Sequence, residues 1–211
     1  IYVMPSDHTY TGGSLVNSGG SYPMMKAIID GMRARGIYDY LVVGTPNEPG
    51  PDVTPSAWLS AMRNYLTFLR SQNGYDGVVV MDGWGWATMT TPNDAIDVAT
   101  FKQIQAFDAT LRANGQANVV MSQHIYPNIK DLPAKIWDAA NQIPLIIGEV
   151  GIENPGASAY DAAYVRSVIS GYLNAGLANG HNGIVFWILS FCDSNKMIAD
   201  WADPAVPYKA P

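Results

Sequence analysis

Two glutamates about a hundred positions apart, Glu48 and Glu149, are the residues of this chain best suited to act as a chemical pair. Each closes a segment that begins with short apolar residues, Leu41-Val42-Val43 for the first and Leu145-Ile146-Ile147 for the second. Cleavage of a glycosidic bond needs two carboxyl groups. One protonates the leaving oxygen, and the other attacks the anomeric carbon or activates water. Either glutamate alone reads as a solvated loop carboxylate or a helix cap. Position changes that reading, because the mouth of an α/β fold is where burial and neighbouring charge tune carboxyl groups.

Other polar and aromatic residues fall at equivalent places. Apolar runs end in Ser6-Asp7-His8, in Thr45-Pro46-Asn47-Glu48-Pro49, in Asp82-Gly83-Trp84-Gly85-Trp86, in His124-Ile125-Tyr126-Pro127 and in Glu149-Val150-Gly151, while the last run holds Trp187 with Ser190 beyond it. In parallel α/β folds such positions share one rim. Carboxylates and amides there can hold sugar hydroxyls, and aromatic faces can stack on sugar C–H surfaces. Some residues have plainer readings. His124 alone could be a hydrogen-bonded rim histidine, His181 lies in a Gly-Asn turn, and Trp58 and Trp137 sit on helix stripes that favour core packing.

The elements that must position these residues follow from periodicity. Strands are expected at residues 1–4, 40–44, 78–81, 118–123, 145–148 and 184–189, alternating with amphipathic stretches. Met25, Ile28, Ile29 and Met32 share one helical face, as do Trp58, Met62, Tyr65, Leu66 and Leu69. Phe101, Ile104, Phe107 and Leu111 form a third stripe, Ile136 and Ala140 mark a shorter helix, and Tyr164, Val165, Val168, Ile169, Tyr172 and Leu173 form a fourth stripe. Thr54 before Pro55 reads as an N-cap, with looser versions at Ser21 to Pro23 and Asp131 to Pro133, and Gly36, Gly74, Gly115 and Gly176 stand where helices should stop. Runs 78–81 and 145–148 are apolar on both faces, which favours a parallel sheet covered on both sides. One domain over residues 1–211 is expected, with residues 11–21, rich in glycine and serine, as a flexible loop.

Composition narrows the function classes. With 211 residues, 48% hydrophobic and 14% charged, the chain can bury a sizeable core. A net charge of -6 and scattered lysines and arginines leave no footprint for a nucleic acid. No apolar run is long enough to span a bilayer, so no membrane partner is expected. The first segment lacks the features of a signal peptide, yet Ile1 in place of an initiator Met points to something removed upstream, whether a leader or more. Cys192 stands alone, so no internal disulfide can form. No His/Cys/Asp cluster has metal spacing, no glycine-rich phosphate cradle follows a strand, and no Gly-x-Ser-x-Gly elbow is present. Hydrolysis without a cofactor is the expectation.

Asn47-Glu48-Pro49, His124-Ile125-Tyr126-Pro127 and Gly148-Glu149-Val150-Gly151, in this order at successive strand ends, resemble the motifs of clan A glycoside hydrolases, specifically the family 5 cellulases and mannanases. Phe186-Trp187 is similar to that family's terminal-strand tryptophan, Asp7-His8 to its histidine after the third barrel strand, and Gly83-Trp84-Gly85-Trp86-Ala87 to its segment after the fifth. The resemblance spans nearly the whole chain. It implies a (β/α)8 TIM barrel working by double displacement with retention, with Glu48 as acid/base and Glu149 as nucleophile. Under the same resemblance Asn47 holds the sugar 2-hydroxyl, His124 sits near the acid/base, Tyr126 hydrogen-bonds the nucleophile, and Trp187 is the platform at the cleaved sugar. His8 lines that subsite, and Tyr10, Trp84 and Trp86 join Trp187 in flanking a cleft for several sugars.

The chain also departs from the family. Its six expected strands correspond to the third to eighth of the barrel, so the expected fold is an incomplete barrel of about six strand-helix units. The family's arginine at the end of strand two goes with the two missing units, and neither Arg33 nor Arg35, both on a predicted helix, is placed to replace it. Three explanations stay open: a fragment of a longer enzyme, a minimal barrel whose gap a homodimer partner closes, or an incomplete barrel that has lost activity. Open edges could otherwise be covered by residues 11–21 or 196–211. The expected function is a secreted endo-acting hydrolase of β-1,4 linkages in cellulose, another β-glucan or mannan; the alternative is a carbohydrate-binding protein with impaired catalysis.

Overall fold

The computed structural model describes residues 2–8, 21–91, 95–125, 136, 138–151, 170, 174 and 184–187. Tyr10, Tyr126, Trp137, Gly176, His181, Cys192, the N-cap signal at residues 131–133, loop 11–20, tail 196–211 and the stripe from Tyr164 to Leu173 lie outside the described side chains. Chain contacts fall into two compact units, Ile1–Ser122 with Gln142–Pro144, and Gln123–Asn141 with Leu145–Pro211.

The first unit is built on a parallel sheet. Strand β1 (Val43–Gly44) pairs with β2 (Val79–Asp82), and β2 pairs with the first part of β3 (Val119–Ile125). Val43 lies beside Val79, and Val79 beside Val119. All four β2 residues are buried, as the two-sided apolar run predicts. The strand expected at residues 1–4 is reduced to a single bridge between Val3 and Leu41. Its backbone nevertheless runs on beside the next segment, since Gly44 N–H donates to Pro5 O and Asn47 N–H to Asp7 O, both at 2.9 Å. Tyr40, the first residue of the second expected strand, instead ends a 3-10 turn, Tyr38–Tyr40.

Helices cover this sheet where the stripes require. Met25 and Ile29 of α1 (Ser21–Ala34) are buried, as are Trp58, Met62, Tyr65 and Leu66 of α2 (Pro55–Thr67) and, past the short α3 (Trp84–Ala87), Phe101 and Ile104 of α4 (Val98–Leu111). Thr54 caps α2 by accepting the Ala57 N–H at 3.2 Å. Gly36, Gly74 and Gly115 take positive φ of 67, 58 and 66°, the left-handed geometry that ends helices at low cost only for glycine. Beyond Thr67 the helix widens into a π-turn, Phe68–Gln72, which turns Arg70 into the interior.

In the second unit β4 (Leu145–Gly151) pairs in parallel with β5 (Ile184–Trp187). Ile147 lies beside Ile184, but Val150 lies beside Phe186, so β4 carries one extra residue between them. That irregularity falls on Gly148 and Glu149. Ile136, Ala139, Ala140 and Ile143 supply buried apolar surface in the same region of the chain, the first two and Ala140 in this unit and Ile143 in the other.

Candidate active site

Glu48 lies past the carboxyl end of β1 with φ of 44°, a conformation that costs energy in a residue with a side chain. Pro49 follows it and disfavours the right-handed helical alternative. What holds this geometry is a set of contacts from the loop after β2. The Glu48 N–H donates to Asp82 Oδ2 at 3.0 Å, and the Trp86 N–H donates to Pro49 O at 2.9 Å. Asp82 is anchored in turn, with its own N–H on Thr45 Oγ1 at 3.0 Å and its carbonyl accepting from Trp58 Nε1 at 2.9 Å. Asn47 is buried next to Glu48, and its N–H reaches Asp7 O; His8, the next residue, is exposed.

The segment α3 (Trp84–Ala87) is a single turn of unusual hand. Gly85, Trp86 and Ala87 have φ of 64, 62 and 57°, and Met89 has 50°. Left-handed backbone costs about 1–2 kcal/mol per residue that carries a side chain. The turn is closed by Met89 N–H to Trp84 O at 2.9 Å and by Thr88 Oγ1 to Gly85 O at 2.7 Å. Gly83 cannot be larger, because a Cβ there would come within 2.5 Å of Met89 Cβ. The result separates the two tryptophans. Trp84 is 6% exposed and packs edge-on against buried Trp58, with ring centroids 5.5 Å apart, whereas Trp86 is 46% exposed. An open indole face is therefore offered by Trp86, and Trp84 braces the turn behind it.

In the second unit, His124 and Glu149 meet. His124 Nδ1 lies 3.5 Å from Glu149 Oε2, and both side chains are buried. This approach is longer than a well-formed hydrogen bond. Glu149 belongs to β4 itself rather than to a following loop, and the extra residue in the strand sets which way it points. Trp187 ends β5 with its backbone beside Gly151, two residues beyond Glu149.

The first unit thus places Glu48, Asn47, His8, Trp84 and Trp86 at the carboxyl ends of β1 and β2 and of the segment before them, and the second places His124 beside Glu149. Tyr126 is outside the described residues. The sequence marks Asp82 only as the residue that ends the apolar run 78–81, and an acid directly after a two-sided apolar run is the signal that points to it; its burial and its bond to Glu48 come from the structure. The extra residue in β4 had no signal except Gly148.

The fold, parallel strands alternating with helices, is that of part of a (β/α) barrel. Among solved structures, the chain is similar to the catalytic domain of a Thermobifida fusca endoglucanase in complex with cellotetraose, with TM-score 0.67 and 16% identity over 95% of this chain and 61% of that one. It is similar as well to the catalytic domain of a mannanase from Streptomyces sp. SirexAA-E, with TM-score 0.68 and 21% identity over 98% of this chain and 62% of that one. A Thermotoga maritima Cel5A structure with cellobiose matches with TM-score 0.66 and 13% identity over 99% and 69%. The structural neighbours are therefore cellulases and mannanases, as the motif resemblance implies, and this chain spans about three-fifths of the length of the first two. No family model and no curated protein matches the chain.

Proposed function

We propose that the chain is a retaining glycoside hydrolase that cuts internal β-1,4 linkages of cellulose, another β-glucan or mannan. The observation that carries the reading is the built environment of its two glutamates. Glu48 is held in a strained backbone conformation by Asp82, and buried Glu149 faces buried His124 on an irregular strand. Strain and buried carboxylates are costly, and such features gather where chemistry needs fixed groups. Cellulases and a mannanase among the structural neighbours support the same class.

In the proposed reaction Glu149 attacks the anomeric carbon while the glycosidic C–O bond breaks and Glu48 gives its proton to the leaving oxygen. Glu48 then takes a proton from water, whose oxygen displaces Glu149 from the anomeric carbon and returns the original configuration. Asn47 and His8 hold hydroxyls, Tyr126 hydrogen-bonds Glu149, and Trp86 and Trp187 stack on sugar rings with Trp84 behind Trp86. The protein acts outside the cell, where such polymers occur.

The test measures reducing ends released from carboxymethyl-cellulose, mannan, xylan and lichenan by the wild type and by Glu149→Gln. Release that the substitution abolishes supports the reading. Binding of glucan by both proteins with cleavage by neither supports a carbohydrate-binding protein instead. NMR of the first product should show the β-anomer, and an initial α-product rejects double displacement.

A further inference from the structure

We infer that Asp82 is a positioning residue for the proton-donating step, acting through the backbone of Glu48; this rests on the reading of Glu48 as acid/base. The residue before Pro49 is disfavoured in the ordinary helical geometry, and Glu48 sits at φ 44°. A side chain on so strained a backbone points reproducibly only if something fixes the peptide. Two contacts do this. Asp82 Oδ2 accepts the Glu48 N–H at 3.0 Å, and Pro49 O accepts the Trp86 N–H at 2.9 Å, so the dipeptide 48–49 is gripped on both sides by one loop.

The grip is itself rigid. Asp82 is 7% exposed, its N–H is held by Thr45 Oγ1 and its carbonyl by Trp58 Nε1. Thr45 and Glu48 flank Asn47 on the same segment, so Asp82 braces that segment at two points, one through its main chain and one through its carboxylate. A charged acceptor on a backbone N–H makes a shorter and stronger bond than a neutral one. Gly83 allows the turn to begin immediately, since any side chain there would strike Met89. The same turn presents Trp86, so the loop that fixes Glu48 also carries the exposed indole. Asp82 touches no reacting atom in this role. Losing it lets the Glu48 peptide turn and takes the carboxyl out of line with the leaving oxygen.

Misplacing a general acid harms substrates whose leaving group needs a proton and spares those whose leaving group departs without one. The experiment compares kcat/KM on cellotetraose and mannotetraose with kcat/KM on the 2,4-dinitrophenyl β-glycoside of whichever sugar is cut, for wild type, Asp82→Ala, Asp82→Asn and Glu48→Gln. Asp82→Ala should lose roughly 30- to 100-fold on the oligosaccharide, at or below the bottom of the roughly 10²- to 10⁴-fold range for general acid catalysis because the acid is misplaced and not removed, and about threefold or less on the activated glycoside. Asp82→Asn, which keeps the shape and a weaker acceptor, should fold like wild type and show the same selectivity at roughly a third of the size on a logarithmic scale. Equal losses on both substrates mark a merely structural residue and overturn the inference, as does an Asp82→Asn protein indistinguishable from wild type. Glu48→Gln separates the two levels. If Glu48→Gln cuts the oligosaccharide normally, or the wild type cuts neither substrate, the hydrolase assignment falls and the role of Asp82 falls with it; if Glu48→Gln alone is selective, only the role of Asp82 falls.

Discussion

The two ends of the first unit's strands differ in how their polar groups are used. At the amino ends of β2 and β3, Arg70 and Asp108 form a fully buried pair at 2.8 Å. Every remaining arm is spent on backbone: Arg70 reaches Tyr75 O, Gly77 O and Asn118 O, and Asp108 accepts the Asn118 N–H at 2.7 Å. Tyr75 OH adds bonds to Leu41 O and Val78 O. Positive φ occurs there at Gly74, where it is cheap. At the carboxyl ends, by contrast, Glu48, Trp86, Ala87 and Met89 all take positive φ with side chains attached, and an indole stands open. Saturated bonding holds the fold together at one end, and strain held in place by neighbours prepares a surface at the other.

If that division is right, substitutions at the two ends should move different measurements. Glu48→Gln should lower kcat on an oligosaccharide by the roughly 10²- to 10⁴-fold typical of a lost general acid while leaving the urea midpoint close to wild type, measured by reducing-sugar release and by denaturation. A large drop in stability with little loss of activity would reverse the assignment of that end. Asp108→Ala should do the opposite, costing about 3–5 kcal/mol in urea unfolding because it leaves the Arg70 charge buried and unpaired. Where the folded fraction survives, its activity per folded molecule should match wild type.

Tyr75→Phe removes the donor to two carbonyls and should cost about 1–2 kcal/mol in the same assay. Burial pushes the hydroxyls of Tyr75 and Tyr65 well above the ordinary value of 10.0. The unfolded chain therefore releases these protons above about pH 10 while the folded chain keeps them. Stability should be intact below that pH and fall as it rises further, with a shallower fall in Tyr65→Phe, followed by thermal melts from pH 8 to 11. The smallest effect is expected from Trp86→Ala, which should raise KM for an oligosaccharide by up to about tenfold, since ring stacking contributes about 0.5–1.5 kcal/mol, without shifting the melting temperature. An unchanged KM would remove the indole from the binding surface.

Much of this was readable from local pattern. The strands at 78–81, 118–123 and 145–148 and the faces of α1, α2 and α4 follow from side-chain periodicity, which depends on neighbours two to four positions away. Thr54 and the glycines at 36, 74 and 115 are visible because caps and left-handed stops depend on a single residue's chemistry. The first strand was overcalled because its hydrophobic run, Tyr2 to Met4, stays largely exposed and bridges only at Val3. Asp108 was hidden among helix polar residues, although its burial opposite Arg70 makes it a core residue.

Alternation of short apolar runs with amphipathic stretches, and carboxyl or aromatic residues at the ends of those runs, was enough to set the α/β class and to nominate Glu48 and Glu149. Spacing along a chain cannot reveal a partner that folding brings from 34 or 38 positions away, as Asp82 is brought to Glu48 and Arg70 to Asp108. Nor can it reveal the hand of the Trp84–Ala87 turn or the extra residue at Gly148–Glu149, because both are conformations that isolated segments would avoid and that packed neighbours impose.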